Sequence, residues 1–245
     1  MAMDMLLKEI PISNVLFVDI ETVPLYPSYI EVPRVERDLW NKKSARLATK
    51  HTPPSELYKK AGIFAEFGKV ICISVAYMPR SKKSQTVRVR SFYGHDEKEI
   101  LAGFSALIEA HFNSPKTYVC AHNGNEFDFP FIARRMLING MNVPLALDTR
   151  GKKPWEIHHI DTLDLWRFGD YKNYTSLSLL THVFNIPTPK DDIDGSMVCD
   201  IYWKDKNLSR IVEYCQKDVI AVLQLFRKYR GQEIIPEHDI VVVSE

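Results

Sequence analysis

The run Val15-Leu16-Phe17-Val18-Asp19-Ile20 constrains this chain more than any other stretch. Neighbouring side chains on a strand point to opposite faces, so a run that is apolar at nearly every position must be covered on both, as in a central strand. A sheet built on such a strand needs packed layers on either side, and an α/β arrangement follows. Pro24, Pro27 and Pro33 come next. They exclude an immediate crossover helix and imply a long excursion, helical in part near Val35 to Thr49.

The other elements follow from period and punctuation. Lys69 to Met78 and Gln85 to Phe92 are β-rich around a polar, basic turn at Pro79 to Ser84, an antiparallel hairpin. Asp96, with Glu99 three residues on, forms a capping box for a helix from Glu97 to about Phe112. Thr117 to Ala121 is a short strand, Phe129 to Asn139 a helix ended by Gly140, His158 to Thr162 a candidate strand and Ser176 to Phe184 a short helix. From Leu208 to about Tyr229 the apolar residues Leu208, Ile211, Val212, Cys215, Val219, Val222, Leu223 and Phe226 form one helical stripe. Strands first, then strands alternating with helices, predict a mixed sheet of five strands flanked by helices.

At 245 residues, with 45% hydrophobic and 26% charged residues, the chain has the make-up of a folded globular domain. No stretch reads as a linker, so residues 1–245 are expected to form one domain with a long insertion at about 22–66. The cysteines Cys72, Cys120, Cys199 and Cys215 lie far apart without metal-ligand pairing and read as buried thiols. Neither a signal peptide nor a run of about 18 apolar residues is visible, which makes a cytoplasmic protein without membrane contact the default expectation. The net charge of +1 gives no global signature of a nucleic-acid binder, so any basic surface has to be local. One candidate is the excursion, where Arg34, Arg37, Lys42, Lys43, Arg46, Lys50, Lys59 and Lys60 outnumber the acids and Tyr26, Tyr29, Trp40 and Tyr58 are interleaved. It either leads a single strand towards a cleft or is a solvated loop with its rings tucked on the core.

Carboxylates carry the chemistry. Asp19 and Glu21 project from one face if the first strand persists through Glu21. Two like charges at the end of an apolar strand repel and lose hydration, for which a divalent cation is the usual remedy; a solvated strand end is the plain alternative. Asp128, in His122-Asn123-Gly124-Asn125-Glu126-Phe127-Asp128-Phe129-Pro130, stands where an N-cap would, although Asn125 could cap instead. Tyr214 and Asp218 are neighbours on one face of the last helix, either a polar edge or part of a site.

Taken together, FVDIETVP, AHNGNEFDFPFIARRM and IVEYCQKDVIAVLQLF resemble the three motifs of the DEDD exonuclease superfamily, over about Asn14 to Phe226. LSLLTHVFNIPTPKDDIDGSMV resembles the family's approach to the third. The likeness is to its tyrosine branch, because the other branch carries His five residues before the final Asp, where this chain has Glu213. It is nearest to the proofreading exonuclease domain of family B DNA polymerases and their free-standing relatives, and the absence of a polymerase region predicts a stand-alone nuclease.

The resemblance implies a ribonuclease H-like fold and 3′-to-5′ exonuclease activity on single-stranded DNA, with RNA ends as an alternative. It also implies two divalent ions, Mg²⁺ or Mn²⁺, which all-oxygen ligands favour over zinc. Asp19 would bridge both ions, Glu21 and Asp218 would complete the site of the nucleophile-generating ion, and Asp128 would act on the second through waters. Tyr214 would orient the attacking water, and Thr22, Asn123 and Phe127 would meet the terminal nucleotide. His158 and His159 read as packing or surface residues, and Asp161 and Asp164 as possible outer-shell groups. A nucleic-acid-binding module with the same fold and little turnover is the reading from another class, and a ribonuclease H-like endonuclease is a third.

Overall fold

Alternation along the first strand sorts the interior into two cores. In the computed structural model, which describes residues 7–47, 52–79, 86–187 and 193–243, β1 spans Val15–Pro24 and outlasts the apolar run that announced it. Leu16, Val18 and Ile20 face one core; Val15 and Phe17 face the other. β2 (Gly68–Tyr77) and β3 (Val87–Tyr93) continue the sheet antiparallel as the expected hairpin. Residues 80–85 of its turn lie outside the described residues, as do Lys50 and 188–192 of the approach to the third motif.

Helix α1 (Arg34–Ser44) and a 3-10 helix (Glu56–Ile63) fill the excursion. Helix α2 (Glu97–His111) is capped by Asp96, whose carboxylate accepts the Lys98 N–H at 2.8 Å. Strand β4 (Tyr118–Ala121), helix α3 (Asp128–Ile138) and strand β5 (His159–Asp161) follow, with β4 parallel to both β1 and β5. Short helices α4 (Thr162–Arg167), α5 (Leu177–Val183) and α6 (Val198–Trp203) lead to α7 (Leu208–Tyr229). Strand β6 (Ile240–Val242) closes the chain parallel to β3.

The sheet order β5-β4-β1-β2-β3-β6 is mixed, as expected, with one strand more than the five expected. Helices α2 and α3 cover one face, packing Phe104, Ile108, Phe131 and Ile132 on Leu16 and Val18. Helix α7 covers the other: Val219, Val222, Leu223 and Phe226 lie on Val15 and Phe17, with the Phe17 and Phe226 rings edge to face at 5.4 Å. The stripe read from the sequence is therefore the face that seats α7. A ribonuclease H-like layering results, and no described helix is long and apolar enough to cross a membrane.

Rings of the excursion are mostly packed. Trp40 is fully buried, meets Tyr58 and Phe67 edge to face and donates its indole N–H to the Pro54 carbonyl at 2.9 Å. Tyr29 donates to Asn41 at 2.8 Å. These rings form a small core of their own, so Trp40 and Tyr58 offer no stacking platform to a ligand.

Candidate active site

Because β1 remains extended to Pro24, Asp19 and Glu21 continue the face of Val15 and Phe17, the one covered by α7. Its pairing with β2 shifts register between Glu21 and Thr22 and then resumes to Pro24, a bulge of the kind common beside active sites. From the other side, the Cys215 thiol of α7 donates to the Asp19 carbonyl at 3.4 Å and fixes the helix against the strand. Tyr214 and Asp218 flank Cys215 and so arrive over the two strand carboxylates. Asp19, Glu21 and Asp218 each bring a carboxylate oxygen to within 4.8 Å of the others.

Electrostatics at this meeting point are unfavourable for the protein alone. Burial raises the Asp19 pKa well above the usual carboxylate range, and Asp218, Glu21 and Asp128 raise it further. Glu21 moves the same way, through burial and then Asp218. Tyr214 is pushed up by burial and by the carboxylates of Asp218, Glu21 and Asp19, so its phenol keeps its proton. Asp19 Oδ2 is enclosed and has no hydrogen-bond partner. A divalent cation would satisfy that oxygen and relieve the repulsion, and a set made only of carboxylates suits a hard ion. The cluster can hold a metal ion.

Asp128 stands beside this trio at the head of α3. It is buried, and burial lifts its pKa to about 7 although its own N–H and that of Ile20 stabilise the charge. It caps nothing: α3 begins at Asp128 itself, and the cap position, Phe127, makes no side-chain bond. Nor does Asn125 cap: the Glu126 and Phe127 N–H groups go to the Asn123 carbonyl, and the Asn125 amide donates to Asp164 at 2.9 Å. The capping alternatives weighed for these two residues therefore fail, and the Asp128 carboxylate acts on Asp19 and Glu21 through its charge.

The loop between β4 and α3 is held by Asp161. One of its oxygens accepts from Asn123 N at 2.8 Å and Leu163 N at 2.9 Å, the other from Asn125 N at 3.0 Å. Asn123 adopts a left-handed φ of 60°, and its side-chain oxygen is buried without a partner. Gly124 cannot be larger, because a Cβ there would lie 2.5 Å from that of Ala121. Thr22 gives its hydroxyl proton to the Gly62 carbonyl at 2.8 Å, which leaves the hydroxyl oxygen able only to accept from a ligand. Phe127 is partly buried, tilted against Phe131 at 5.5 Å.

Both histidines considered earlier are packing residues: His158 stacks on Tyr118, and His159 bonds the Ala146 carbonyl and meets the Phe129 ring. A different histidine reaches the cleft. His122 Nε2 donates to the Thr175 carbonyl at 3.0 Å and Nδ1 bonds Thr162 at 2.9 Å, while burial lowers its pKa. Tyr174 and His122 line the cleft together with Asp19, Tyr214 and Asp218. Sequence reasoning passed over Tyr174. The signal was present in Trp166-Arg167-Phe168-Gly169-Asp170-Tyr171-Lys172-Asn173-Tyr174, where rings and charges alternate.

Comparison with known proteins places these features in a family. Residues 63–234 match the family described as predicted 3′-5′ exonuclease related to the exonuclease domain of PolB. Asp128, Tyr214 and Asp218 fall inside the matched span, and Asp19 and Glu21 precede it. A DNA polymerase of Pyrococcus glycovorans is 21% identical over 196 residues, 72% of this chain and 24% of that one. The fold resembles that of the family B DNA polymerase from the hyperthermophilic archaeon Pyrobaculum calidifontis, with a TM-score of 0.54 at 18% identity over 89% of this chain and 24% of the polymerase. The chain spans about a quarter of the length of each of these relatives.

Proposed function

This chain belongs to the family of predicted 3′-to-5′ exonucleases related to the exonuclease domain of PolB, and from that premise we propose that it hydrolyses phosphodiester bonds at the 3′ end of single-stranded DNA. We assign it to the tyrosine branch of the DEDD superfamily. The observation that carries this reading is the convergence of Asp19, Glu21 and Asp218 within 4.8 Å.

Asp19, Glu21, Asp128 and Asp218 would hold two Mg²⁺ or Mn²⁺ ions, which when bound polarise the phosphoryl oxygens and lower the pKa of a water. The protein supplies position and enclosure. Tyr214, kept protonated by burial and by the carboxylates of Asp218, Glu21 and Asp19, bonds Asp218, and its phenol oxygen would orient the attacking water. Asn123 offers a buried, unpaired carbonyl oxygen to a donor on the terminal nucleotide. Asp161 acts only through the loop it clamps, as a positioning residue.

A 5′-labelled oligonucleotide incubated with the protein and Mg²⁺ or Mn²⁺ is expected to give a ladder that shortens from the 3′ end and vanishes with EDTA, while circular single-stranded DNA stays intact. Shortening of RNA but not DNA would make the protein an exoribonuclease, and a cut circle an endonuclease. No cleavage of either polymer would sink the reading and favour a binding module. In the same assay Tyr214→Phe should lower turnover by about 10²-fold, within the usual range for groups that assist proton transfer. Unchanged turnover would remove the tyrosine from the mechanism.

A further inference from the structure

Helix α4 ends abruptly at an aromatic residue in a conformation that aromatics avoid. Phe168 has a φ of 45°, in the left-handed region, and is 92% exposed. Such a backbone is strained for a residue with a Cβ. Exposing the ring to water adds a further cost without a compensating contact. Just before it in the chain, Trp166 is placed in the opposite way, packed against Phe184 and Tyr229. The loop is therefore anchored at its stem and presents its next ring outwards.

Other groups of the loop point to what the ring meets. Tyr171 is 70% exposed, with the Arg167 guanidinium over its ring at 5.5 Å. Arg167 is only 11% exposed and is ion-paired to Asp164 at 2.7 Å, which is itself held by the Asn125 amide, so it braces the Tyr171 ring, whereas Lys172, next in the chain, is exposed. Tyr174, 63% exposed, lines the cleft with Asp19 and Asp218, and the following carbonyl, of Thr175, is fixed by His122. The loop thus runs from an exposed pair of rings, past a cation, to the edge of the carboxylate cluster.

We propose that the 167–174 loop binds the single-stranded nucleic acid entering the cleft, with Phe168 and Tyr171 as stacking faces for bases, the exposed Lys172 as the counter-charge to a phosphate and Tyr174 as the ring at the mouth of the site. This deepens the exonuclease reading and rests on it for the direction of the strand. Aromatic faces accept any base, so recognition is of single-strandedness and not of sequence. Neither the apolar rings nor the cation alone would select this ligand; their alternation and continuity with the cleft do. Trp40 and Tyr58 of the excursion at 22–66 cannot do the same, because both rings are buried.

Affinity is best measured where nothing is cut: fluorescence anisotropy of a 5′-fluorescein oligothymidylate with the full chain in EDTA. The double variant Phe168→Gly/Tyr171→Ala is expected to bind at least roughly thirtyfold more weakly than wild type, from the worth of two base–aromatic stacks. Phe168→Gly alone should weaken binding while melting no lower than wild type, since glycine accepts the left-handed backbone; loss through misfolding would lower both. Phe168→Trp, which keeps a ring, should retain affinity. A double variant binding within about twofold of wild type, or a wild type that binds no oligonucleotide, overturns the proposal. Because the measurement needs no turnover, an inactive wild type would refute the exonuclease reading alone, whereas full cleavage with unmoved affinity would refute the loop.

Discussion

Asp19→Asn should abolish measurable cleavage, lowering turnover by at least about 10³-fold, and at the same time make the metal-free protein more heat-resistant at neutral pH, by roughly 2–6 °C. The two effects have one cause. Asp19 is enclosed beside Glu21, Asp218 and Asp128, and each of these raises its pKa after burial has done so. A carboxyl whose folded pKa lies above its unfolded value contributes stability that is complete below the unfolded value, near pH 4, and is lost as pH rises through the folded one. Without metal, stability should accordingly fall from about pH 4 upwards, with the part due to Asp128 leaving near its folded value of about 7. An amide at position 19 carries no charge to repel and should flatten part of that decline. Thermal denaturation in EDTA across this range, with the oligonucleotide assay alongside, measures both effects. A variant that is less stable than wild type at pH 7 without metal would contradict the account of this cluster.

Breaking the buried ion pair between Glu97 of α2 and Arg135 of α3 should have the largest effect on stability alone. Both side chains are nearly inaccessible, at 8% and 6% exposure. Glu97 Oε1 accepts from Val70 N at 2.7 Å and Arg135 Nε at 2.9 Å, and Oε2 accepts from Arg135 Nη2 and the Asn139 amide. Arg135 Nη1 donates to the Ala65 carbonyl at 2.8 Å, so the pair joins two helices, the start of β2 and the end of the excursion. Arg135→Met leaves a carboxylate buried without its partner and is expected to cost about 3–5 kcal/mol. The double variant Glu97→Met/Arg135→Met removes both charges and should regain most of that loss. Urea denaturation checks both: the midpoint should drop at an unchanged slope in the single variant and recover in the double. A single variant within about 1 kcal/mol of wild type would show that the pair contributes little.

Much of the site was legible because its geometry is local. Period 2 along β1 fixed the face of Asp19 and Glu21, and period 3.6 along α7 put Tyr214 and Asp218 at the edge of the stripe that seats the helix. Elements whose stability is long-range were not readable. Glu97 and Arg135 meet across elements distant in sequence, and nothing near either residue announces the partner. Strand β6 joins the sheet through backbone bonds to β3 while Val241 and Val242 stay 43% and 55% exposed, so no pattern of burial betrays it. Composition misdirected in one place, because interleaved rings and cations look alike whether the rings are packed, as at Trp40, or exposed, as at Phe168. Only the backbone distinguishes them. The N-cap readings of Asp128 and Asn125 failed because backbone carbonyls take the N–H groups they would have capped: Glu126 and Phe127 donate to Asn123, Phe129 to Gly124 and Phe131 to Phe127.

Addition of Mn²⁺ to the wild-type protein at pH 7, followed by thermal denaturation, tests the central claim most directly, since the convergence of Asp19, Glu21 and Asp218 is explained by a cation they can share. At a hundredfold excess over the dissociation constant, binding to the folded state alone adds about 2.7 kcal/mol, a rise of roughly 5–10 °C for a chain of this size, and Asp19→Asn should lose most of it. A melting temperature that does not move with millimolar Mn²⁺ or Mg²⁺, or that moves equally in Asp19→Asn, would contradict the account.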